Sequence, residues 1–387
     1  MFNRKKHRLA VVVPTYPSEE NMYLCAFVHS RVKAYQQAGI NVEVLCVWDT
    51  YEDHSEYEIE GVHVTRLHTT SLEQYLFEEK FDVCFLHFFD LQFEAAVTSE
   101  RLSNVKFFLW SHNPETRYWD WPLFTTPYFS APSELTQAQK EEFEKRDIVI
   151  KKLNDQENVN WVFVSQTLKE RSEELIGITF ERGIVIPNLV DDRVYQFKKR
   201  RFKNRNSVII VRKFDNVNTY ALDVVMQVIV ELSKRKGFRK LNFDIYGAGV
   251  MFDELTAPVK DFENVHLHEH FLSQNELKQA YEQHGIGLFA TRFDSQGVAM
   301  CEAALSGMPV VSSQIDAANY FLPNDMGLLC EVENPVAYAD VIEKLVKDRR
   351  YYKRCAKACH EKVRSMCSRE QTVNKEIEIN RKAVSEK

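Results

Sequence analysis

Short, nearly continuous apolar runs alternate with amphipathic stretches along most of this chain. The run Leu9–Pro14 is followed by residues 23–38, in which apolar side chains recur at helical spacing up to Gly39, and then by the run Val42–Val47. Strands that are apolar on both faces must be covered on both faces, and parallel sheets flanked by helices provide that cover. The alternation therefore predicts an α/β chain built on parallel sheets.

The alternation stops once and then starts again. Further strands are predicted at Val62–Leu67, Val83–Phe88, Val105–Trp110, Trp161–Ser165, Gly183–Pro187, Val208–Val211, Leu241–Tyr246, Val265–Leu267, Ile286–Ala290, Pro309–Ser312 and Leu328–Cys330. The basic, apolar-poor stretch Lys198–Arg205 (KKRRFKNR) separates the two series. Because a domain usually holds about 100–200 residues, we predict two doubly wound domains, at 1–190 and 191–367, with a break near residues 188–206.

A helix near residues 368–387 is a candidate to pack back on the first domain. Ligands of open parallel sheets bind at the carboxyl ends of the strands. With two such domains, we expect them to face each other across a cleft, and that cleft is the expected reaction site.

Composition excludes several classes of protein. The net charge of -6 argues against a general nucleic-acid binder, which is normally basic. No apolar run approaches the roughly 20 residues that span a bilayer, and Leu9–Val13 is too short for a signal peptide. The cysteines stand singly among apolar residues or, at Cys355 and Cys359, outside a CxxC pattern. We therefore predict a cytoplasmic protein without a metal site; the alternating His266, His268 and His270 fit a half-exposed strand.

The most informative segment is Thr291–Val311, TRFDSQGVAMCEAALSGMPVV. It follows a predicted strand, and a helix is predicted to open at Gly297 and to end at Gly307. The amides of Gly297, Val298 and Ala299 are expected to point out of the helix start, where the partial positive charge favours a phosphate.

Two acids in this segment, Asp294 and Glu302, lie eight positions apart, one before the helix and one in its second turn. They can therefore address two parts of one extended ligand, and a carboxylate can accept bonds from a vicinal diol. Taken alone, either acid also fits a helix cap or a solvated side chain.

Other candidates follow strands elsewhere. Arg212 and Lys213 end the strand VIIVR and suit a diphosphate, although a solvated strand edge explains them as well. Gly247 and Gly249 (YGAG) permit a nucleotide to approach, or form a simple tight turn. His112 in FLWSHNPE is a candidate to hydrogen-bond a reacting sugar or an acceptor; a structural histidine is the alternative.

The acidic-x7-acidic spacing, the small-residue helix and the ending G-x-P-V-V resemble the retaining glycosyltransferases of family 4 (glycosyl transferases group 1), which have the GT-B fold of two Rossmann-like domains. The resemblance implies that the first acid, here Asp294, contacts the donor sugar and that Glu302 holds the nucleotide ribose. The first acid of the family is usually Glu.

The same resemblance places Arg212, and a Lys about five residues later, on the donor diphosphate. Position 217 is Val, so either Lys213 replaces that lysine or the neighbourhood of Asn216 and Asn218 hydrogen-bonds instead. It also implies catalytic roles for Asp294, His112 and Arg212, and donor contacts for Arg212, Lys213, Gly247, Gly249, Gly297, Val298 and Glu302.

The implied function is transfer of a hexose, with retention, from a nucleoside diphosphate sugar such as a UDP-sugar to a hydroxyl of a glycan, lipid-linked or protein acceptor. Surface polysaccharide or glycoconjugate synthesis would be its setting, with no metal and no cofactor besides the nucleotide-sugar substrate. The alternatives are a sugar-nucleotide epimerase or phosphorylase of the same fold, and a catalytically silent partner subunit. The basic stretches Arg4–Arg8 and Lys198–Arg205 are candidates for peripheral contact with anionic lipid at the inner face of a membrane, or are merely solvated.

Overall fold

The computed structural model describes residues 7–19, 21, 24–51, 54–113, 115–119, 134–215 and 219–385. The Asn216–Asn218 neighbourhood and the Arg4–Lys6 part of the first basic stretch lie outside these ranges. Among the described residues, one compact unit comprises the chain up to Leu189 and from Glu370 onward. The other comprises Val190–Arg369.

The strands of the described chain are numbered in chain order. They are β1 (Arg8–Val13), β2 (Asn41–Val47), β3 (Ser55–Ile59), β4 (Val62–Leu67), β5 (Val83–His87), β6 (Lys106–Ser111), β7 (Val159–Phe163), β8 (Ile184–Val185), β9 (Ser207–Val211), β10 (Asn242–Tyr246), β11 (Val265–His268), β12 (Ile286–Phe289), β13 (Val310–Ser313) and β14 (Leu329–Cys330).

The α-helices of the described chain are numbered in the same way. They are α1 (Ala26–Gln37), α2 (Leu72–Glu78), α3 (Glu94–Val97), α4 (Gln137–Asp155), α5 (Gln166–Ile176), α6 (Leu222–Ser233), α7 (Phe252–Thr256), α8 (Gln274–Gln283), α9 (Val298–Leu305), α10 (Asp316–Phe321), α11 (Pro335–Lys347), α12 (Arg349–Cys367) and α13 (Val373–Ser385).

The first unit holds a sheet in the order β3-β4-β2-β1-β5-β6-β7-β8. All pairs are parallel except β3 with β4. The inner strands are apolar on both faces: every residue of β1 after Arg8 is buried, and so is all of β5. The sequence did not predict β3, because its residues SEYEI form an edge strand with only Ile59 buried and lack the apolar run that marks the other strands.

The last helix, α13, belongs to the first unit because a buried arginine holds it there. Arg31 in α1 is fully buried, and its Nε donates to Glu376 Oε1 in α13 at 3.0 Å. Its two Nη atoms donate to Asn188 Oδ1 at 3.0 Å and to the Pro187 carbonyl at 3.1 Å, and Tyr35 also donates to Glu376. A buried ion pair needs such complete satisfaction, since loss of one partner leaves an uncompensated charge.

The second unit holds a fully parallel sheet in the order β11-β10-β9-β12-β13-β14. Counted from β9, this is the 3-2-1-4-5-6 order of the dinucleotide-binding fold. The direction of winding reverses between β9 and β12 in this unit, and between β1 and β5 in the first. The predicted class, α/β with two doubly wound Rossmann-like domains, is confirmed.

Candidate active site

The reversal point of the second sheet gathers most of the predicted site residues. In open α/β sheets, ligands bind outside the carboxyl ends of the strands where the winding reverses. Arg212 directly follows β9, and the loop from Ala290 to Gly297 connects β12 to α9. The turn with Gly247 and Gly249 follows β10, the other neighbour of β9.

Arg212 is a buried cation between two aromatic rings. Its side chain is 8% exposed, and its guanidinium carbon lies 4.8 Å from the ring centre of Tyr220 and 5.0 Å from that of Phe289. Its Nε and Nη2 atoms are buried and have no hydrogen-bond partner among the described residues. Buried donors are normally satisfied, so this guanidinium presents two preorganised N–H groups of the kind that bind a phosphate.

Asp294 organises the loop before α9. Its Oδ1 accepts from the amides of Gln296 at 3.1 Å and Gly297 at 2.8 Å. Gly297 has φ 69°, a left-handed conformation that favours glycine. The expectation of three outward amides at Gly297, Val298 and Ala299 is therefore wrong in one respect, because Asp294 already binds the first of them. The amides of Val298 and Ala299 remain at the helix start, where the helix supplies no acceptor for them.

Arg292, in the same loop, is a structural anchor. Its guanidinium donates to both oxygens of Asp223 at 2.8 and 2.7 Å, and to both oxygens of Glu333 at 2.6 and 2.9 Å. Burial opposes the charged form, but the bonds to the two acids outweigh it and raise the pKa of Arg292. Since α6 carries Asp223, this network fixes the position from which Asp294 extends.

Glu302 lies in α9, half-buried, and accepts a hydrogen bond from the buried Tyr195 hydroxyl. Burial raises the pKa of Glu302 to about 8, although the Tyr195 bond acts in the opposite direction. Burial thus favours the protonated form of this carboxyl when no ligand is bound. Burial and the nearby Glu302 raise the pKa of Tyr281, whereas Arg212 lowers it, so Arg212 and Glu302 lie near the same ring.

Lys213 lies along the surface and does not extend toward the rings of Tyr220 and Phe289 that enclose Arg212. Its Nζ pairs with Asp215 Oδ2 at 2.7 Å, and its side chain is 60% exposed. The hydrogen bond from Lys213 lowers the pKa of Asp215, whose Oδ1 also accepts from the Val250 amide at 3.2 Å. Water screens an exposed pair of this kind, so it contributes little to stability, and Lys213 can exchange Asp215 for another anion.

Gly247 and Gly249 are required by the packing of their own turn. A Cβ on Gly247 would lie 1.8 Å from the carbonyl oxygen of Arg212, and one on Gly249 would lie 2.5 Å from the carbonyl carbon of Phe214. The Phe214 amide donates to the Ala248 carbonyl at 3.0 Å. These glycines let the turn press against the segment that carries Arg212, and their contact with a donor stays a prediction.

His112, from the first unit, follows β6 and is buried. Its Nε2 lies 3.1 Å from Nδ1 of His87, and its ring lies 5.1 Å from that of Phe27 and 4.5 Å from that of Phe88. Burial and the charge of Arg31 lower the pKa of His112 well below its ordinary value. The imidazole is therefore neutral at pH 7 and can either donate or accept one hydrogen bond.

Sequence reasoning missed Glu115, which shapes the turn after β6. Its Oε2 accepts from the amides of His112 and Asn113, both at 2.8 Å. Burial raises the pKa of Glu115 to about 7, against the effect of these backbone bonds. Its Oε1, like Nε2 of His87, is buried without a hydrogen-bond partner among the described residues. The sequence signal that could have found Glu115 is an acid three residues after His112, at the end of a predicted strand.

Among the alternating histidines, His268 has a structural partner, which it shares with the later His284. His268 and His284 each approach one oxygen of Asp244 at 3.0 Å, and the His268 ring stacks on Tyr246. Within the described ranges, no group of three or more His, Cys, Asp or Glu side chains could hold a metal ion. No described helix has the length and hydropathy needed to cross a membrane.

Two comparisons concern the sequence. The model of the family described as glycosyl transferases group 1 matches residues 205–348, less than half of the chain. One subunit of the human phosphatidylinositol N-acetylglucosaminyltransferase is 28% identical over 173 residues, which cover 44% of this chain and 35% of that protein. The matched stretch thus spans about a third of the curated relative's length.

Solved structures match over nearly the whole chain. Sucrose-phosphate synthase from Thermosynechococcus elongatus has a TM-score of 0.73 at 13% identity, with 98% of this chain and 100% of that chain covered. Anabaena Alr3699/HepE in complex with UDP and glucose has a TM-score of 0.65 at 11% identity, with 97% and 100% covered. The chain has the fold of the GT-B glycosyltransferases, and the family match across its second unit supports a glycosyltransferase of that type.

Proposed function

We propose that this protein is a retaining, metal-independent hexosyltransferase of family 4 that uses a nucleoside diphosphate sugar. In this proposal, residues 191–367 bind the donor and residues 1–190 serve the acceptor. One observation carries the proposal: Arg212, buried between Tyr220 and Phe289, has two buried N–H groups without a protein acceptor among the described residues.

The diphosphate would bind where the positive charge is concentrated. Arg212 would donate to its oxygens, and the amides of Val298 and Ala299 would add the partial positive charge of the α9 start. Lys213 would leave Asp215 and take the place of the lysine that position 217 lacks. These groups would stabilise the negative charge that grows on the leaving diphosphate, which is the role a metal ion has in other transferases.

The two acids would address the two ends of the donor. Oδ1 of Asp294 is occupied by two loop amides, so Oδ2 is the acceptor that remains for a sugar hydroxyl. Glu302 would hold the ribose diol, assisted by the Tyr195 hydroxyl on the same carboxyl. Because its pKa lies near 8, Glu302 binds the diol as a carboxylate only after it loses its proton.

In the reaction, the bond between the anomeric carbon and the diphosphate oxygen breaks, and the acceptor oxygen bonds to that carbon on the same face. The acceptor proton passes to an oxygen of the leaving phosphate. No covalent enzyme intermediate is required, so neither Asp294 nor Glu302 acts as a nucleophile. Neutral His112 would hydrogen-bond the reacting sugar or the acceptor hydroxyl.

A UDP-sugar is the donor we favour, because a fold neighbour is recorded with UDP and glucose. The human relative's name points to transfer onto a lipid-linked acceptor, so a glycan, lipid-linked or protein hydroxyl remains the acceptor class. We place the protein in the cytoplasm, with peripheral contact at the inner membrane face, and in surface polysaccharide or glycoconjugate synthesis.

The test is UDP affinity measured by calorimetry on Arg212→Gln and on the matched control Arg239→Gln, an exposed arginine of the same unit. Each charge-assisted bond contributes about 1.5–3 kcal/mol, so we expect Arg212→Gln to weaken UDP binding roughly tenfold to a hundredfold. Arg239→Gln should bind as the natural protein does. Equal affinity in both variants, with both folded, would reject the phosphate role of Arg212 and the proposal with it.

A catalytically silent donor-binding subunit is the second candidate. It is favoured by Val217 in place of the family lysine and by the pairing of Lys213 with Asp215. The two candidates differ in turnover: a silent subunit binds UDP through Arg212 but neither hydrolyses nor transfers from any nucleotide sugar that shifts its melting temperature. Slow donor hydrolysis that Arg212→Gln abolishes would exclude it.

A further inference from the structure

A cavity in the Val190–Arg369 unit is lined by basic side chains, and none of the predicted donor residues lines it. Its volume is about 440 Å³, within the range of small-molecule sites. This cavity, hereafter the basic pocket, is lined by residues 197–201 and 205, by the first four turns of α12, and by Gly307. Gly307 follows the carboxyl end of α9, whereas Asp294 and Val298 lie at its start; an eight-residue helix separates these ends by about 12 Å.

The lining contains eight Lys or Arg residues and one acid, Glu361, in a chain whose net charge is -6. Lys198 pairs with Glu282 at 2.7 Å, and Lys357 pairs with Glu361 at 3.5 Å. Four other cations of the lining are exposed and form no ion pair with any acid in the described ranges: Lys199, Arg201, Arg349 and Lys353. A compact cluster of like charges is repulsive, and an anion relieves the repulsion.

The start of α12 makes this cluster more costly. Arg349 and Lys353 are four positions apart on one helix face, where like charges destabilise a helix. The first turn of α12 holds no acid inside the helix and begins with two arginines, although the positive end of the helix dipole favours negative charge there. Asp348 caps the amides of Arg350 and Tyr351 at 2.8 and 2.9 Å, so it is already occupied.

Two further arginines build the wall. Arg200 is engaged with backbone carbonyls at the ends of two helices, including those of Tyr281 at 2.6 Å and His284 at 3.2 Å. Arg205 is 3% exposed, and its guanidinium carbon lies 5.8 Å from the ring centre of Tyr352. Because these contacts hold both side chains in place, Arg200 and Arg205 add positive charge to the pocket at fixed positions.

Two aromatic rings, those of Phe197 and Tyr352, line the pocket. Phe197 covers Gly307 so closely that a Cβ there would lie 2.7 Å from the ring. The Tyr352 hydroxyl donates to the Gly285 carbonyl at 2.7 Å, which fixes that ring. The pocket therefore combines an aromatic surface with cations at its rim, a combination that suits a ring or chain bearing phosphate.

We propose that the basic pocket is a second ligand-binding site, specific for a compact ligand that carries at least two negative charges on phosphate. The ligand is either a soluble phosphorylated metabolite or the phosphomonoester headgroup of a lipid, since both offer the same chemistry. This inference is independent of the donor site, because none of the predicted donor residues lines the basic pocket.

The experiment compares two matched double variants of the full chain. Arg349→Gln/Lys353→Gln removes two charges from the rim, and Arg239→Gln/Lys260→Gln removes two exposed charges elsewhere in the same unit. Inorganic pyrophosphate is titrated by calorimetry with and without saturating UDP. Sedimentation is measured with vesicles of pure phosphatidylcholine and with vesicles that contain about one-fifth phosphatidic acid.

We expect the rim variant to weaken pyrophosphate binding at least tenfold in the presence of UDP, and the control variant to change it less than twofold. Phosphatidic acid vesicles that bind the protein, and lose it only in the rim variant, would assign the ligand to a lipid headgroup; pyrophosphate binding alone would assign it to a soluble metabolite. The ligand-free rim variant should melt at or above the temperature of the natural protein, which shows that it folds. No loss of either kind of binding in the rim variant, or an equal loss in both variants, would overturn the proposal.

Discussion

The turn after β6 in the first unit and the loop after β12 in the second use the same backbone device with different chemistry. In each, one carboxylate oxygen accepts two consecutive loop amides: Glu115 binds those of His112 and Asn113, and Asp294 binds those of Gln296 and Gly297. Glu115 is 3% exposed, whereas Asp294 is only half-buried. Since both acids bind loop amides in this way, the proposed catalytic role of Asp294 depends on its second oxygen and on the access of that oxygen to a ligand.

The largest effect is expected from Asp294→Asn. Asparagine keeps an oxygen for the two loop amides, so UDP affinity should stay within about twofold of the natural protein. Misplacement of the sugar at the reacting centre costs roughly a hundredfold in rate, so kcat for transfer or donor hydrolysis should fall by about that factor.

The control for Asp294→Asn is Asp325→Asn, an exposed acid of the same unit, which should retain full activity. A weaker UDP affinity in Asp294→Asn, equal to that in Glu302→Gln, would mean that the two acids share one role. The proposed difference between the two loops would then be lost.

A smaller effect is expected from the protonation of Glu302. Since burial raises its pKa to about 8, the natural protein should bind UDP more tightly as the pH rises from about 6.5 to 8.5, by roughly 25-fold. Glu302→Gln should bind weakly throughout and should retain only the pH dependence that the UDP phosphates themselves supply.

Calorimetry of both proteins over this range isolates the contribution of Glu302, because the titration of UDP is common to both. Parallel pH profiles would contradict a ribose contact made by the carboxylate. A flat profile in the natural protein would contradict it as well.

The smallest effect on activity is expected from Glu115→Gln, which should instead change stability. The pKa of Glu115 is raised to about 7 in the folded protein, so the stability it contributes is present below its unfolded pKa of about 4.3 and is lost as the pH rises through 7. Between pH 5 and 8, the free energy of unfolding of the variant should therefore fall less than that of the natural protein, by about 2–3 kcal/mol.

Denaturant unfolding of the natural protein, Glu115→Gln and the exposed control Glu134→Gln at both pH values measures this difference. Glu302 titrates in the same direction but is common to all three proteins. If Glu115→Gln abolished catalysis while its stability was unchanged, Glu115 would be an active-site acid after all, and the two loops would be alike in chemistry.

Most of the fold could be predicted, because buried parallel strands are apolar on both faces and so form visible runs in the sequence. The edge strand β3 could not be predicted in this way, since SEYEI is mostly exposed. The site was predictable only as a set of residue types. Asp294 accepts the hydrogen bond of the Gly297 amide because of the loop geometry. Ion pairs of Arg292 with Asp223 and Glu333 fix that geometry, and these residues are far apart in the sequence.

The sequence also does not show that Nε and Nη2 of Arg212 lack a hydrogen-bond partner among the described residues, or that a basic pocket forms. The rings that enclose Arg212 come from Tyr220 and Phe289, and neither carries a motif. The sequence of Lys198–Arg205 predicts a solvated or lipid-binding stretch, but its neighbours in the pocket lie about 150 residues later, in α12. Tertiary contacts of this kind leave no local pattern.

The buried bond between Arg31 and Glu376 has a consequence for synthesis of the chain. The described residues of the second unit run consecutively between Val190 and Arg369, so a ribosome releases them before α13. The first unit, although its strands emerge earliest, must wait for Glu376 before Arg31 and Tyr35 gain their carboxylate partner. Thus the unit that is made first is the last to be completed, and synthesis of the second unit ends while the first still lacks α13.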